Sequence, residues 1–322
     1  MPGNIYTQQT KKLGTVNFLA GTTAGMKLDN EAIIALGFLI KSSGTAVATI
    51  DEIISALKRV IVNINGQDDF NLSGQALYLL NRQFLGGAES PTDASATNRY
   101  LYLELDFSMP GGIGSDDSLL DLRQRPGGSL PQAYVQFDLS TIADVGIASE
   151  ISVYQKYYEL VNYERNVATR KVYREKQINV TAGGAFQIPL EYQDGFDDIF
   201  HMMFVESSGT LQNDPLDSVN LVMNGNREIF NIDNGKDPLG LTFIPKGLQP
   251  RPAGFVDDYD SVFMYDYRRS NLLGSQRRVT GALDNSEATS MVLQGQSNVA
   301  GVLHLLQARV SVETAPKDIY KS

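Results

Sequence analysis

The chain has 322 residues, of which 42% are hydrophobic, and it contains no cysteine. This length predicts two domains of about 150 residues each, with enough apolar residues for two packed cores. Without cysteine there can be no disulfide framework, thiolate zinc site or cysteine nucleophile, which agrees with synthesis in a reducing cytoplasm. Lys and Arg number 27 against 37 Asp and Glu, and this net charge of −10 disfavours general binding to nucleic acid or anionic lipid.

The beginning of the chain is polar. Residues 1–10 lack the apolar core of a secretory signal, and no later run reaches the roughly 18 apolar residues that span a bilayer. We therefore expect a protein that is not exported. Lys11 and Lys12 follow, and they are candidates for contact with a membrane or a genome.

Two short helices are predicted in the first third of the chain. Residues 49–52 have the form of a capping box, and apolar residues then follow at helical spacing before the pattern changes to that of a strand. Ser73 is the predicted N-cap of a second helix, which the glycines at 86 and 87 would end. We interpret both apolar stripes as core faces.

Most of the remaining chain has the character of β-strands. Residues 101–107 alternate apolar and polar side chains, the pattern of a half-buried strand. Strands are also predicted at residues 133–139, 151–158, 186–190, 200–206, 219–223, 263–267 and 302–312. The Asn-Gly pairs at 65–66 and 224–225 predict tight turns, because both residue types tolerate positive φ. Long loops rich in Gly, Pro and Asp are expected at residues 88–98, 109–131 and 231–258.

Between two of these strands lies a basic run, residues 162–177. Its cations outnumber Glu164 and Glu175, and they are Arg165, Arg170, Lys171, Arg174 and Lys176. We interpret the run as a solvated linker between domains, with a local basic surface as the alternative.

An approximate internal repeat connects the two halves of the chain. Four short segments recur in the same order at offsets of 159 to 165 residues. They are 42–45 with 207–210, 62–66 with 221–225, 101–107 with 261–267, and 150–153 with 309–312. The common offset predicts two similar β-sandwich domains, residues 1–161 and 178–322, joined by the linker 162–177. The predicted fold class is all-β, with a few short helices.

No arrangement of residues predicts catalysis. The two histidines, His201 and His304, lie in apolar strand-like runs, and we interpret both as packed or hydrogen-bonded core residues. Neither belongs to a two-histidine metal motif. No serine has the flanking glycines of a nucleophile elbow. The glycines of residues 111–114 are interpreted as a flexible loop rather than a dinucleotide-binding loop.

Three acidic clusters are candidate cation sites. They are Asp194 with Asp197 and Asp198, Asp233 with Asp237, and Asp257 with Asp258 and Asp260. Calcium takes six to eight oxygen ligands from loops of this kind, so a structural calcium is conceivable. None of the three has the spacing of a complete calcium-binding loop, and solvated carboxylates are the preferred interpretation. We expect no obligatory cofactor.

Part of the first half resembles a known family of viral proteins. The resemblance is carried by residues 12–18 (KLGTVNF), 32–40, 53–66 and 77–82 (LYLLNR), about a quarter of the chain. These segments resemble the first domain of the double jelly-roll major capsid proteins of icosahedral, tailless phages with an internal membrane, of the corticovirus and finnlakevirus type. The second half departs from the pattern, since no counterpart of residues 77–82 follows Asn224 and Gly225.

This resemblance implies two eight-stranded jelly rolls and no catalytic residues. It also implies a homotrimer of nearly hexagonal outline that tiles an icosahedral shell around an internal membrane. The implied partners are further copies of the chain, minor capsid or vertex proteins and the membrane, without sequence-specific nucleic acid. The implied location is the virion, after synthesis in the host cytoplasm.

Two other classes of function remain open at this point. One is a spike, fibre or carbohydrate-binding module, since jelly rolls often serve as lectins. The absence of tryptophan argues against it, because tryptophan is a common sugar-stacking residue. The other is a β-sandwich glycoside hydrolase, which would require two acids in one cleft at a separation that sequence does not supply.

Overall fold

The structure is a computed structural model of the chain. It describes residues 6–43, 50–84, 92–95, 98–107, 119–123, 130–140, 150–160, 169–192, 196–233, 261–267, 283, 285 and 287–312. The predicted loops at 109–131 and 231–258, and the glycines at 86, 87 and 111–114, lie largely or wholly outside these residues. Within them, no helix is both long and apolar enough to cross a bilayer.

The chain divides into two compact units. Unit 1 comprises Met1–Val172 and Val312–Ser322, and unit 2 comprises Tyr173–Ser311. The division falls inside the predicted linker 162–177. The second half of that linker is a strand that extends from Thr169 to Val180, so its interpretation as a solvated connection was wrong there. Buried and partly exposed residues alternate from Tyr173 to Lys176, which is the period of a strand.

Among its described residues, unit 1 contains ten strands and two helices. In chain order these are β1 (Tyr6–Asn17), β2 (Thr23–Lys27), β3 (Ala32–Ser43), α1 (Ile50–Ser55), β4 (Leu57–Ile64), β5 (Gln67–Leu72), α2 (Gly74–Phe84), β6 (Thr92–Ser95), β7 (Asn98–Asp106), β8 (Leu120–Asp121), β9 (Ala133–Leu139) and β10 (Glu150–Leu160). One sheet has the order β1-β10-β3-β7-β6, with β8 beside β3, and a second run has the order β5-β4-β9-β2. The pairings between these strands are antiparallel.

Unit 2 contains the remaining strands. They are β11 (Thr169–Val180), which enters unit 2 at Tyr173, β12 (Ala185–Pro189), β13 (Phe196–Ser207), β14 (Thr210–Leu211), β15 (Leu216–Met223), β16 (Arg227–Asp233), β17 (Val262–Asp266), β18 (Met291–Ser297) and β19 (Gly301–Val312). Strands β11, β19, β13 and β17 lie side by side in that order, with β14 also beside β13. The facing sheet has the order β12-β18-β15-β16.

The two units have the same strand topology. The eight main strands of each unit are its strands other than β6 and β8 in unit 1 and β14 in unit 2. If they are numbered by chain order within each unit, one sheet in both units reads first, eighth, third, sixth. The other reads second, seventh, fourth, fifth. Two facing four-stranded sheets with these Greek-key connections form the eight-stranded jelly roll. The chain is therefore a tandem pair of jelly rolls, and the predicted all-β fold class is confirmed.

The internal repeat follows from this shared topology. Residues 42–43 and 207 end the third main strand of their units, and residues 101–106 and 262–266 lie in the sixth. The Asn-Gly pairs join the fourth main strand to the fifth in both units. The fourth match is less exact, because 150–153 begins β10 whereas 309–312 ends β19. The segments lie in the same strand at opposite ends.

The cores form where the inward faces of the two sheets meet. In β9, Ala133, Val135, Phe137 and Leu139 are buried while the residues between them are more exposed. Phe137 contacts Phe38 of the opposite sheet edge-on, with ring centroids 5.4 Å apart. In unit 2 one apolar cluster takes residues from both sheets, including Met203, Leu221, Phe263 and Leu303. The apolar side chains at every second position of a strand thus point inward and pack against those of the facing sheet.

Helix α2 is capped and attached by side-chain hydrogen bonds. Ser73 Oγ accepts a hydrogen bond from the backbone N–H of Ala76 at 3.1 Å, which confirms the predicted N-cap. Near the end of the helix, the buried Asn81 binds the N–H and the C=O of Glu104 in β7, at 2.7 and 2.8 Å. These hydrogen bonds hold the end of the helix against β7. A counterpart in unit 2 would fall between β16 and β17, outside the described residues.

The two Asn-Gly turns have the same backbone conformation and equivalent hydrogen bonds in both jelly rolls. Asn65 and Asn224 adopt positive φ of 51° and 55°, and the glycines after them have φ of 84° and 73°. In each turn the asparagine N–H donates to the carbonyl of the residue before the seventh main strand, and the side-chain Oδ1 accepts from that residue's N–H. These anchoring residues are Gln132 and Ser290. The asparagine therefore fixes one end of each sheet.

We expect Asn224→Ala to lower the free energy of unfolding by about 1–3 kcal/mol, since alanine disfavours positive φ and removes the Oδ1 acceptor. Oδ1 accepts from the N–H of Thr289 at 2.7 Å, and Nδ2 donates to the carbonyl of Glu287 at 3.0 Å. Urea unfolding followed by circular dichroism measures the change. Asn224→Gly is the matched control, because it keeps the backbone freedom and loses only the side chain. A glycine variant less stable than the alanine variant would contradict the assignment of a positive-φ cost.

Candidate functional site

Both histidines lie in the second jelly roll, in β13 and β19. His201 is fully buried and His304 is 4% exposed. Each hydrogen-bonds to neighbouring side chains, so the prediction that they are packed, hydrogen-bonded core residues is confirmed. In the structure each histidine also lies beside at least one carboxylate. The sequence did not indicate this, because it shows each histidine only among apolar neighbours.

His201 belongs to a buried polar cluster at one end of the unit 2 core. Its Nδ1 lies 2.8 Å from the hydroxyl of Tyr267, and the two rings are nearly perpendicular. Its Nε2 is 3.2 Å from Oδ2 of Asp198, although the two atoms are not aligned for a hydrogen bond. Burial, and then the negative charge of Asp198, raise the pKa of Tyr267 well above its usual range. The tyrosine is therefore neutral.

A chain of tyrosine, histidine and aspartate has the form of a proton relay. A relay acts on a substrate only if the substrate reaches its hydroxyl group. Asp198 and His201 are fully buried, and Tyr267 is 2% exposed. The cluster therefore supports the core and offers no site for a reacting molecule.

Arg309 lies beside this cluster and is 2% exposed. Its Nη2 donates to Glu191 Oε2 at 2.5 Å, and its guanidinium stands 5.4 Å from the centroid of the Phe196 ring. Burial lowers the pKa of Arg309, while the charge of Glu191 opposes that change. Gln307 donates to Asp198 at 3.0 Å. Buried polar atoms without a protein partner, here Arg309 Nε and Nη1, normally bind ordered water.

His304 lies between two carboxylates on the neighbouring strands. Its Nδ1 is 2.5 Å from Glu175 Oε1 of β11, and its Nε2 is 3.3 Å from Glu206 Oε2 of β13. The imidazole stacks on the ring of Phe204, with centroids 4.5 Å apart and planes 15° apart. Burial by itself would lower the pKa of His304, but the hydrogen bonds and charges of Glu175 and Glu206 outweigh it and raise the pKa to about 9.

The structure corrects the interpretation of the first acidic cluster. Asp197 and Asp198 are 4% and 0% exposed in β13, so they are not solvated carboxylates. Asp194, Asp237 and the cluster at 257–260 lie outside the described residues, as does the side chain of Asp233. Among the residues described, no group of three or more His, Cys, Asp or Glu side chains could hold a metal ion. A structural calcium stays an untested prediction.

The basic run is also less exposed than predicted. Lys171 is 5% exposed and donates from Nζ to the carbonyl of Phe107. Arg174 donates to Glu191 at 3.0 Å, and Lys176 to the carbonyl of Pro189 at 2.8 Å. The buried Lys171 requires an acceptor, because a charged group loses its hydration on burial. Arg174 and Lys176, which are only partly buried, also bind acceptors outside their own strand. Arg165 and the side chain of Arg170 lie outside the residues that the structure describes.

Near the start of the chain, Lys11 and Lys12 are exposed in β1. Lys11 donates to Asp29 Oδ2 at 2.6 Å. The strand has a bulge between Lys12 and Gly14 where it pairs with β10. Charged residues and a bulge on an outer strand discourage unwanted pairing with another chain.

An open groove of about 580 Å³ lies on the outer face of the sheet formed by β2, β9 and β4. Its lining residues are Thr23, Ala24, Gly25, Met26, Lys27, Asn63, Tyr134 and Gln136. Tyr134 is the single aromatic side chain among them and is 40% exposed. The groove has an aromatic surface and several amide or hydroxyl groups, but no carboxylate pair for hydrolysis.

Sequence reasoning missed the partners of the histidines and of Arg309. Glu175 was counted in a solvated run, and Glu191 and Glu206 were not singled out. The usable signal was a charged residue within an otherwise apolar strand, as with Arg309 in residues 302–312. Such a residue is costly to bury without a partner. The identity of the partner depends on strand order, which the sequence does not state.

The chain is similar in fold to solved structures of viral major capsid proteins. The major capsid protein of bacteriophage PM2 matches with a TM-score of 0.62 at 14% identity, covering 96% of this chain and 98% of that chain. The major capsid protein of STIV matches with a TM-score of 0.65 at 15% identity, covering 98% and 100%. The Faustovirus major capsid protein matches with a TM-score of 0.58 at 9% identity, covering 97% and 91%.

These identities are low, so the likeness shows the fold. No protein-family model matches the sequence, and no curated protein matches it. The described part of the chain has the double jelly-roll fold of these viral major capsid proteins. The resemblance found in the sequence is thereby confirmed at the level of the fold.

Proposed function

We propose that the chain is the major capsid protein of an icosahedral virus. The observation that carries the proposal is the tandem repetition of one jelly-roll topology, matched along 96% of the chain by the capsid protein of bacteriophage PM2. The role is structural and non-catalytic. It is supported by the burial of Asp198, His201 and Tyr267, which among the described residues have the form of a proton relay and are at most 2% exposed.

In the proposed assembly three copies form a homotrimer. Two similar domains per chain give six similar units around a threefold axis, and a nearly hexagonal tile results. Repetition of one interface through symmetry suits a closed shell made of many copies. The trimers tile the virion around an internal membrane, with minor capsid or vertex proteins as further partners. A net charge of −10 limits adhesion to genome and lipid before assembly.

The mass and shape of the purified protein test this proposal. We expect light scattering to give about three times the chain mass of 35.3 kDa, and negative-stain microscopy to show nearly hexagonal particles or shell fragments. A protein that stays a monomer at all concentrations and forms no larger particles would contradict the proposal. Synthesis in the host cytoplasm is tested separately, by following the tagged chain during infection.

A carbohydrate-binding module is the second candidate, and the groove around Tyr134 is the observation that favours it. Sugar rings pack on aromatic faces, and Asn63 and Gln136 could bind hydroxyl groups. A screen of the purified protein against neutral oligosaccharides, with Tyr134→Ala as the comparison, tests this candidate. Binding that Tyr134→Ala abolishes, together with a monomeric mass, would favour the module over the capsid protein.

A further inference from the structure

Strand β19 contains one histidine, and the side chain of that histidine contacts residues of both neighbouring strands. The strand order is β13-β19-β11, so β19 lies between the other two. His304 reaches Glu175 on β11 through Nδ1 and Glu206 on β13 through Nε2. Its two ring nitrogens therefore connect three adjacent strands of unit 2.

The imidazole ring and its carboxylate neighbours are largely buried, so the charge of the ring affects their stability. The side chain of Glu175 is 0% exposed, that of His304 is 5% exposed and that of Glu206 is 23% exposed. Phe204 covers one face of the imidazole. A buried carboxylate needs a cation or hydrogen-bond donors close by, since the protein interior solvates charge poorly. The neutral amide of Gln177, 3.2 Å from Glu175, supplies one donor.

We propose that His304, Glu175 and Glu206 form a protonation-dependent clamp that holds β11, β19 and β13 together and opens in alkaline solution. The imidazolium has two N–H donors and a positive charge, and so it satisfies both carboxylates at once. The neutral ring has one N–H donor and no charge, so it no longer donates to both carboxylates. Glu175 and Glu206 are the charged groups that reach the ring, and Gln177 and Phe204 are its neutral neighbours. This clamp is independent of the proposed function.

The direction of the pH effect follows from the two states of the histidine. Its pKa is about 9 in the folded protein and near the ordinary histidine value of 6.5 in the unfolded chain. The folded state therefore binds the proton more tightly. The stabilisation is fully present below pH 6.5, and it is lost as the pH rises from 6.5 through 9. This difference corresponds to at most about a 300-fold fall in the ratio of folded to unfolded protein.

Nuclear magnetic resonance of protein labelled selectively at histidine tests the proposal directly. The chain has only two histidines, so two ring signals are expected, and the His201→Gln variant assigns them. We expect the His304 signal to titrate with a midpoint near 9, and Glu206→Gln to move that midpoint down. A wild-type midpoint below 7, or one that Glu206→Gln leaves unchanged, would overturn the proposal.

Unfolding measured at one protein concentration provides the second test. From pH 6.5 to 9.5, the wild-type ratio of folded to unfolded protein should fall by about 100-fold relative to His304→Gln. His304→Lys, which keeps its charge to higher pH, should follow the pH dependence of His304→Gln rather than that of the wild type. Equal pH dependence in wild type and His304→Gln would refute the clamp. If the variants do not fold, the nuclear magnetic resonance titration of the wild-type protein still tests the proposal.

Discussion

Replacement of Phe38 by alanine should lower the free energy of unfolding by about 3–5 kcal/mol, the range for a buried phenylalanine that leaves a cavity. Phe38 is fully buried in β3, the third main strand of the first jelly roll. It pairs with Leu103 on one side and Val153 on the other, and it packs edge-on against Phe137 of the facing sheet. The side chain thus links both sheets of unit 1.

Urea unfolding followed by circular dichroism measures this loss. Leu39→Ala is the matched control, because Leu39 is the next residue of the same strand, points to the opposite face and is only partly buried. We expect the control to cost about 1 kcal/mol, in line with a smaller loss of buried area. Equal effects of the two substitutions would show that the inward face of β3 is not the core face.

The second large effect is expected at Gly295, where a single methyl group meets the backbone of the neighbouring strand. Gly295 lies in β18 opposite Val219 of β15. A Cβ at this position would lie 2.1 Å from the carbonyl oxygen of Ser218 and 2.8 Å from the ring of Phe186. No rotation of a side chain relieves a clash with a carbonyl oxygen, so β18 would have to move away from β15.

We therefore expect Gly295→Ala to destabilise unit 2 by about 3 kcal/mol, the upper part of the usual range for overpacking. Thermal unfolding of the soluble fraction measures the effect. Gly14→Ala is the control, since a Cβ there would lie 3.4 Å from the flexible end of Met26, an ordinary contact. A melting temperature for Gly295→Ala within one degree of the wild type would contradict the close approach of β15 and β18.

Several parts of the fold were predictable because their causes are local. Alternation placed β9 at residues 133–139, the observed bounds, and the Asn-Gly pairs predicted turns that have positive φ in both units. The helix cap at Ser73 depends on a neighbour three residues away. Repetition of such local patterns at offsets of 159 to 165 residues was sufficient to predict two similar β-sandwiches.

The polar clusters were not predictable, because they join residues far apart in the chain. His304 and Glu175 are 129 residues apart, and Arg309 and Glu191 are 118 apart. Lys171 was interpreted as solvated, yet it is buried against the carbonyl of Phe107, 64 residues away. A residue's neighbours across a sheet depend on strand order and register, and a shift by one residue would turn every side chain to the other face.

The sequence by itself determined the class of fold, the duplication and the lack of cysteine chemistry, since these depend on composition and on patterns within a few residues. Only the tertiary structure decided which charges are buried and what they contact. It brought Glu175 and Glu206 to the two sides of one histidine, because the eighth strand of a jelly roll lies between the first and the third.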